Sequence, residues 1–353
     1  MRSRDVRHHF HLRVQIIPMR TSAKRAAAVI LVAAAMLLSF TACNAEVREE
    51  YFDVFGTTLY IRSESDGGSV AERMMEDELL LSASVEGSDV YRINAARAHE
   101  PVHVDELTMS LLLEAREIYR LTDGAYDPSV YPLVELWGFA PGEFVQGTAP
   151  EELPTEEEIS AALSLVGFDG AFRLDEENNT VTKLVEGAEL DLGGITKGME
   201  AEKALGALSG EALVNLGGNI SCSGRDFTIG IGAPREYPSS YIGTVTLHSG
   251  ECVSTSGDYE RYYEIAGKRY HHIIDPSTGR SAASGLVSVT VISRDGALGD
   301  ALSTAIMVAG EERGREWLEM LSADHPELAA VFVRVDDEGN ILTSSWGREF
   351  KPN

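Results

Sequence analysis

Beyond Phe172 the sequence falls into short β-rich runs, and this change of pattern constrains the fold more than any other feature. The predicted strands are Thr180–Leu184, Ala212–Leu216, Phe227–Ile231, Thr244–Leu247 and Val287–Ile292, and helical spacing returns only near Lys197–Leu208 and Ala297–Val308. A last hairpin pairs Ala330–Val335 with Ile341–Ser344 across Asp336–Asn340. Strands thus follow strands without regular βαβ alternation, so the predicted class is α+β. Before Phe172 the spacing is mostly helical. Asp105 is a predicted N-cap for a helix carrying Leu107, Leu111, Ala115, Ile118 and Tyr119, with Gly124 near its end. A second helix opens on a Thr155–Glu158 capping box and is expected to stop at Gly167. Pro141 to Pro154 reads as an acidic loop, and Tyr51–Arg62 as one strand at the start of the folded part. There is no internal repeat, no nucleotide-binding G-x-G-x-x-G and no P-loop.

The N-terminal segment lies outside that pattern. Arg20, Lys24 and Arg25 precede an apolar run from Ala26 to Phe40, followed by Thr41-Ala42-Cys43. This is the layout of a signal peptide, and a run of about 15 apolar residues is shorter than the roughly 20 that cross a bilayer. Phe40-Thr41-Ala42-Cys43 resembles the lipobox of bacterial lipoproteins, which implies lipidation of Cys43 and an extracytoplasmic protein anchored to a membrane of the cell envelope. The expected organisation is a signal peptide over 1–42, a polar tether over 43–50 and a globular domain over 51–350. Met19 gives a signal of ordinary length and is the expected true start. Residues 1–42 hold seven of the 30 Lys and Arg and one of the 56 Asp and Glu, so the net charge without them falls from −26 to −32. So acidic a chain argues against nucleic acid or anionic lipid as a direct partner. Cys222 and Cys252 remain, read as two buried small residues, with a disulfide as the alternative.

Several short stretches have the composition of chemical sites. His272-Ile273-Ile274-Asp275-Pro276-Ser277-Thr278-Gly279 holds an imidazole and a carboxylate on a stiff Pro-to-Gly turn, although the same residues also make an ordinary hairpin tip. Asp191-Leu192-Gly193-Gly194-Ile195-Thr196-Lys197-Gly198 places paired glycines and a lysine at a helix N-terminus. That suits a phosphate, or is simply a strand-to-helix turn. Gly217-Gly218-Asn219 ends another strand. Asp300 and Thr304 are four apart on a predicted helix, so they share a face and offer oxygen ligands for a hard cation, or form a solvated face. Gly124-Ala125-Tyr126-Asp127-Pro128 is a turn on its own terms.

Together and in order, these pieces resemble the ApbE-like FAD:protein FMN transferases. The series runs through Phe55-Gly56-Thr57, Ser88, Asn94, Asp123 to Pro128, Pro132-Leu133, Trp137-Gly138-Phe139, Asp191 to Gly194 with Lys197-Gly198, and Asn215 to Asn219. It continues through Thr255 to Tyr259, the His272 loop and Asp300 to Thr304. The resemblance implies an α+β fold with FAD in a cleft between its parts, lined by Phe55, Ala125, Tyr126, Asp127, Asp191, Lys197 and Ile274. It implies Mg²⁺ held by the carbonyl of Gly194 and the side chains of Asp300 and Thr304, with Ser303 adjacent and His272 at the reacting phosphate. The implied reaction moves FMN from FAD to a Thr or Ser hydroxyl of an acceptor flavoprotein, a membrane redox subunit or secreted reductase, and releases AMP. Asp275 is expected either to fix the His272 ring or to act as a turn acceptor. The alternatives are an FAD pyrophosphatase that uses water and a non-catalytic FAD-binding lipoprotein. Four positions depart from the family pattern: Phe55 for Met, Ser84 for a flavin-stacking aromatic, Asn219 for Asp and Glu202 for Asp.

Overall fold

Apolar side chains alternating with polar ones along successive segments give each segment one face for a core and one for another layer. In the computed structural model, which describes residues 47–140, 144–234 and 240–353, eight such segments form one sheet. They are β1 (Arg48–Val54), β2 (Thr57–Ser63), β3 (Ala212–Leu216), β4 (Asn219–Ser223), β5 (Cys252–Gly257), β6 (Ser288–Ser293), β7 (Ala329–Val335) and β8 (Ile341–Trp346). The strands lie side by side in chain order, and every neighbouring pair is antiparallel. All remaining elements but the C-terminal strand Lys351–Pro352 are insertions between neighbours. Residues 1–42, Met19 and Cys43 lie outside the described residues, as do 141–143 of the acidic loop.

The described helices are α1 (Gly68–Leu81), α2 (Asp89–Ala95), α3 (Glu106–Leu121), α4 (Tyr131–Leu136), α5 (Glu156–Leu163), α6 (Phe168–Ala171), α7 (Thr196–Leu205), α8 (Gly296–Ala309) and α9 (Glu311–Leu321). Their ends follow the local chemistry. Asp105 accepts from the Leu107 N–H at 2.9 Å, and Thr155 and Glu158 form a reciprocal capping box. Helix α8 is apolar on almost every side, which fits a helix buried against the sheet and its neighbours.

The central strands are buried on both faces. Ala330 and Phe332 of β7 join the large helical core, while Ala329, Val331 and Val333 pack toward a second core. That second core is shared with a three-stranded sheet of Phe227–Gly232, Tyr241–Leu247 and Lys351–Pro352. The same alternation decides the cysteines. Cys252 pairs with Ser221, whose hydroxyl bonds the Ala201 carbonyl of α7, whereas Cys222 points to the opposite face among Phe227, Ile229 and Leu247. Both are free buried thiols, on different faces of one sheet, which disposes of the disulfide alternative.

Helix α9 lies where no helix is expected beyond Val308, and three boundaries also differ from expectation. Tyr51–Arg62 is not one strand but most of a hairpin, because Phe55 (φ +51°) and Gly56 (φ +63°) are both left-handed and make the two-residue turn suited to strand twist. Strand β1 starts at Arg48, inside the stretch expected to be tether. Helix α5 ends at Leu163, and Gly167 (φ +128°) instead precedes α6.

Candidate functional site

The segments singled out in the sequence converge on one cleft, open to solvent. Its wall contains Ala125, Tyr126, Asp127, Asp191, Gly194 and Lys197, together with His272, Ile274, Asp300 and Thr304. Phe55 is not on that wall; it is half-buried at the β1–β2 turn, packed between two hydrophobic cores. Ser84 is exposed in the short connection between α1 and α2.

Each wall segment is fixed by side-chain hydrogen bonds to its backbone. After α3, the Thr122 hydroxyl accepts from the Tyr126 N–H at 3.2 Å, turning the chain so that Tyr126 and Asp127 point inward and are buried. The Asn94 side chain clasps both polar groups of the Leu190 backbone, at 2.7 and 2.9 Å, and so sets the segment leading to Asp191. Asp191 then accepts from the Gly193 N–H at 2.7 Å, which shapes the loop entering α7. The His272 loop is tied down from outside, since the Trp137 indole N–H donates to the Gly279 carbonyl at 2.7 Å. Gly279 is left-handed, and a Cβ there would stand 2.8 Å from Ile159.

His272 is held by a single neighbour. The Arg261 carbonyl accepts from the His272 backbone N–H at 3.1 Å and contacts Nδ1 at 3.3 Å. A carbonyl only accepts, so Nδ1 carries the ring proton and Nε2 keeps a free lone pair. Burial, and then the positive charge of Arg261, press the imidazole well below its ordinary pKa, so it is neutral at pH 7. Asp275 does not touch this ring. It accepts from the Ser277 N–H and hydroxyl at 2.8 and 2.6 Å and from the Thr278 hydroxyl at 3.0 Å, so it is the turn acceptor.

Asp300 and Thr304 share a face of α8. The buried Asp300 carboxylate accepts from the Gly198 N–H at 3.0 Å, and a Cβ on Gly194 would stand 3.6 Å from the Thr304 hydroxyl. Desolvation raises the Asp300 pKa, opposed by the nearby Lys197 charge and these hydrogen bonds. A carboxylate, a hydroxyl and a glycine backbone thus meet on one wall, a set of hard oxygens that suits a small divalent cation. Among the described residues no three His, Cys, Asp or Glu gather as a metal site, so a cation here relies on mixed oxygens and on its substrate. Ser303 is not available to it: its hydroxyl is buried and bonded to the Asp300 carbonyl and to Ser256.

The cleft also holds groups that sequence reasoning passed over. Glu260 and Arg261 follow Tyr259 directly, and their place beside a motif was the signal that could have found them. The Glu260 side chain is open to the cleft yet crowded by protein, and its carboxyl is raised to about 7 by desolvation, against the pull of Lys197 and Arg261. Asp127 is likewise raised to about 6 by burial, moderated by two hydrogen bonds from Ser129. The hydroxyl of Tyr126 is buried without a partner.

The model of the ApbE family matches residues 54–332. The chain is 34% identical over 298 residues to the FAD:protein FMN transferase of Klebsiella pneumoniae, covering 83% of this chain and 90% of that protein. To the FAD:protein FMN transferase of Vibrio cholerae it is 31% identical over 329 residues, covering 88% and 94%. Its fold is similar to the crystal structure of an ApbE protein from Thermotoga maritima, with a TM-score of 0.73, 34% identity, and 85% and 97% of the two chains covered. It is also similar to the apo flavinyl transferase ApbE of Pseudomonas stutzeri, with a TM-score of 0.70, 29% identity and coverage of 85% and 94%.

Proposed function

The chain belongs to the ApbE family, and from that premise we propose that it is a Mg²⁺-dependent FAD:protein FMN transferase. It moves FMN from FAD to a Thr or Ser hydroxyl of an acceptor flavoprotein and releases AMP. The observation that carries this reading is His272: a neutral imidazole with Nε2 free, in the same cleft as Lys197, Asp300 and Thr304.

The acceptor hydroxyl oxygen attacks the phosphorus of the FMN half, an O–P bond forms, and the bridging P–O bond breaks so that AMP departs with the electron pair. His272 Nε2 takes the hydroxyl proton, while the Arg261 carbonyl holds Nδ1–H and so stabilises the ring as it becomes charged. Lys197, near the N-terminus of α7, and Arg261 bring positive charge toward the diphosphate. Mg²⁺, when bound by Gly194, Asp300 and Thr304, supplies charge neutralisation for that group. Ala125, Tyr126, Asp127, Asp191 and Ile274 line the path for the rest of FAD, and the unpartnered Tyr126 hydroxyl is free to bond it.

The protein works outside the cytoplasm, tethered through a lipid on Cys43, and its acceptor is a membrane redox subunit or secreted reductase. The lipobox-like sequence supports this placement; among the described residues no helix is long and apolar enough to cross a membrane. The test incubates the domain with FAD, MgCl₂ and an acceptor bearing a flavinylation threonine. Covalent flavin on the acceptor with an equal amount of AMP is expected. AMP and free FMN with the acceptor unlabelled would instead assign the site to hydrolysis, and FAD bound but uncleaved would make the protein a carrier.

A further inference from the structure

Asn219 opens β4 directly after the Gly217-Gly218 turn and pairs with Leu216 across the hairpin. Both glycines are left-handed, and a Cβ on Gly217 would stand 2.8 Å from the Thr57 side chain, so the backbone leaves this turn little freedom. The asparagine that follows is therefore held in one place. It is 2% exposed and lies on the same cleft wall as Gly194, Asp300 and Thr304.

The amide oxygen of Asn219, Oδ1, is buried and has no hydrogen-bond partner. A buried carbonyl oxygen without a partner is costly, and in a cleft wall it is satisfied by a cation or by a water that a cation holds.

We propose that Asn219 is a further residue of the Mg²⁺ site, contributing Oδ1 to the cation or to one of its waters. This inference rests on the Mg²⁺ reading given above. Asn219→Ala removes that oxygen, whereas Asn219→Asp keeps an oxygen in the same place and adds a negative charge.

The experiment titrates MgCl₂ into the FAD-loaded domain without acceptor, following heat, and records the melting temperature in EDTA to compare folding. Asn219→Ala is expected to weaken Mg²⁺ binding about 10- to 100-fold, with Asn219→Asp binding at least as tightly as wild type. Wild-type affinity in Asn219→Ala would overturn the proposal. So would Asn219→Asp proving as weak as Asn219→Ala, because an oxygen at this place would then hold no cation. Should Asn219→Ala melt far below wild type in EDTA, the near-isosteric Asn219→Asp decides alone. If the wild-type domain transfers FMN in EDTA and takes up no Mg²⁺, the metal reading itself fails and takes this inference with it.

Discussion

Gly198 of α7 and Gly296 of α8 are in backbone contact: a Cβ on Gly198 would stand 2.0 Å from the Gly296 carbonyl oxygen, and one on Gly296 2.1 Å from the Gly198 carbonyl oxygen. That approach is what lets the Gly198 N–H reach Asp300 one turn along α8. The helix that brings Lys197 and the helix that brings Asp300 and Thr304 are therefore registered by the absence of two side chains.

Gly198→Ala must push the helices apart, at a cost of about 1–3 kcal/mol for overpacking. A lower melting temperature is expected, together with a loss of Mg²⁺-dependent transfer larger than the stability change explains. An unchanged melting temperature would contradict the contact.

His272→Gln removes the base while leaving a polar side chain. Transfer should fall by about 10²- to 10⁴-fold, with FAD binding retained in a fluorescence titration. Because burial and Arg261 hold the imidazole pKa below its ordinary value, Nε2 stays free as the pH drops from 8 to 6.5. The acid limb of the pH–rate profile should accordingly lie below 6.5, and a limb centred above that value would remove His272 from the role. The sign for stability follows from the same shift: below pH 6.5 the unfolded chain takes a proton that the folded site refuses, so this residue lowers stability on acidification.

Asp300→Asn keeps the volume and an acceptor for the Gly198 N–H but loses the charge. AMP formation at fixed Mg²⁺ should drop at least about 100-fold and recover in part as Mg²⁺ is raised. Turnover equal to wild type would show that Asp300 holds no cation.

Glu114 of α3 hydrogen-bonds Asp295, the N-cap of α8, and lies near Glu202, whose carboxylate accepts from the Gly296 N–H. Burial first, and then Asp295, raise the Glu114 carboxyl to about 7. The folded state thus holds a proton that the unfolded chain releases near pH 4.5, and stability from this group is lost as pH rises toward and through 7. Glu114→Gln should raise the melting temperature at pH 8 by roughly 2–4 °C and change it little at pH 5. Equal shifts at both values would sink this account.

Local signals were legible where one short stretch settles its own geometry, as at the Asp105 cap, the Thr155–Glu158 box and the glycines around Lys197. The convergence of Asp191, His272 and Asp300 followed only from the resemblance, since nothing in their spacing says that distant segments meet. Phe55 illustrates the limit. An aromatic residue before Gly-Thr looked like strand, and only its left-handed backbone turns that strand into a hairpin. Asn219 and Glu114 were equally hidden, because an orphaned oxygen or a shared proton is a property of neighbours brought in from elsewhere.

Strands β2 and β3 are neighbours in the sheet, yet residues 64–211 separate them along the chain. A polypeptide made from its N-terminus presents the β1–β2 hairpin early, with the edge of β2 unpaired until most of the helical insertion has emerged and the loop closes. Such closure is slow because its entropic cost precedes any reward from pairing. Arrest between Ser63 and Ala212 thus yields a species with an open, adhesive edge, and productive folding depends on keeping that edge covered until β3 arrives.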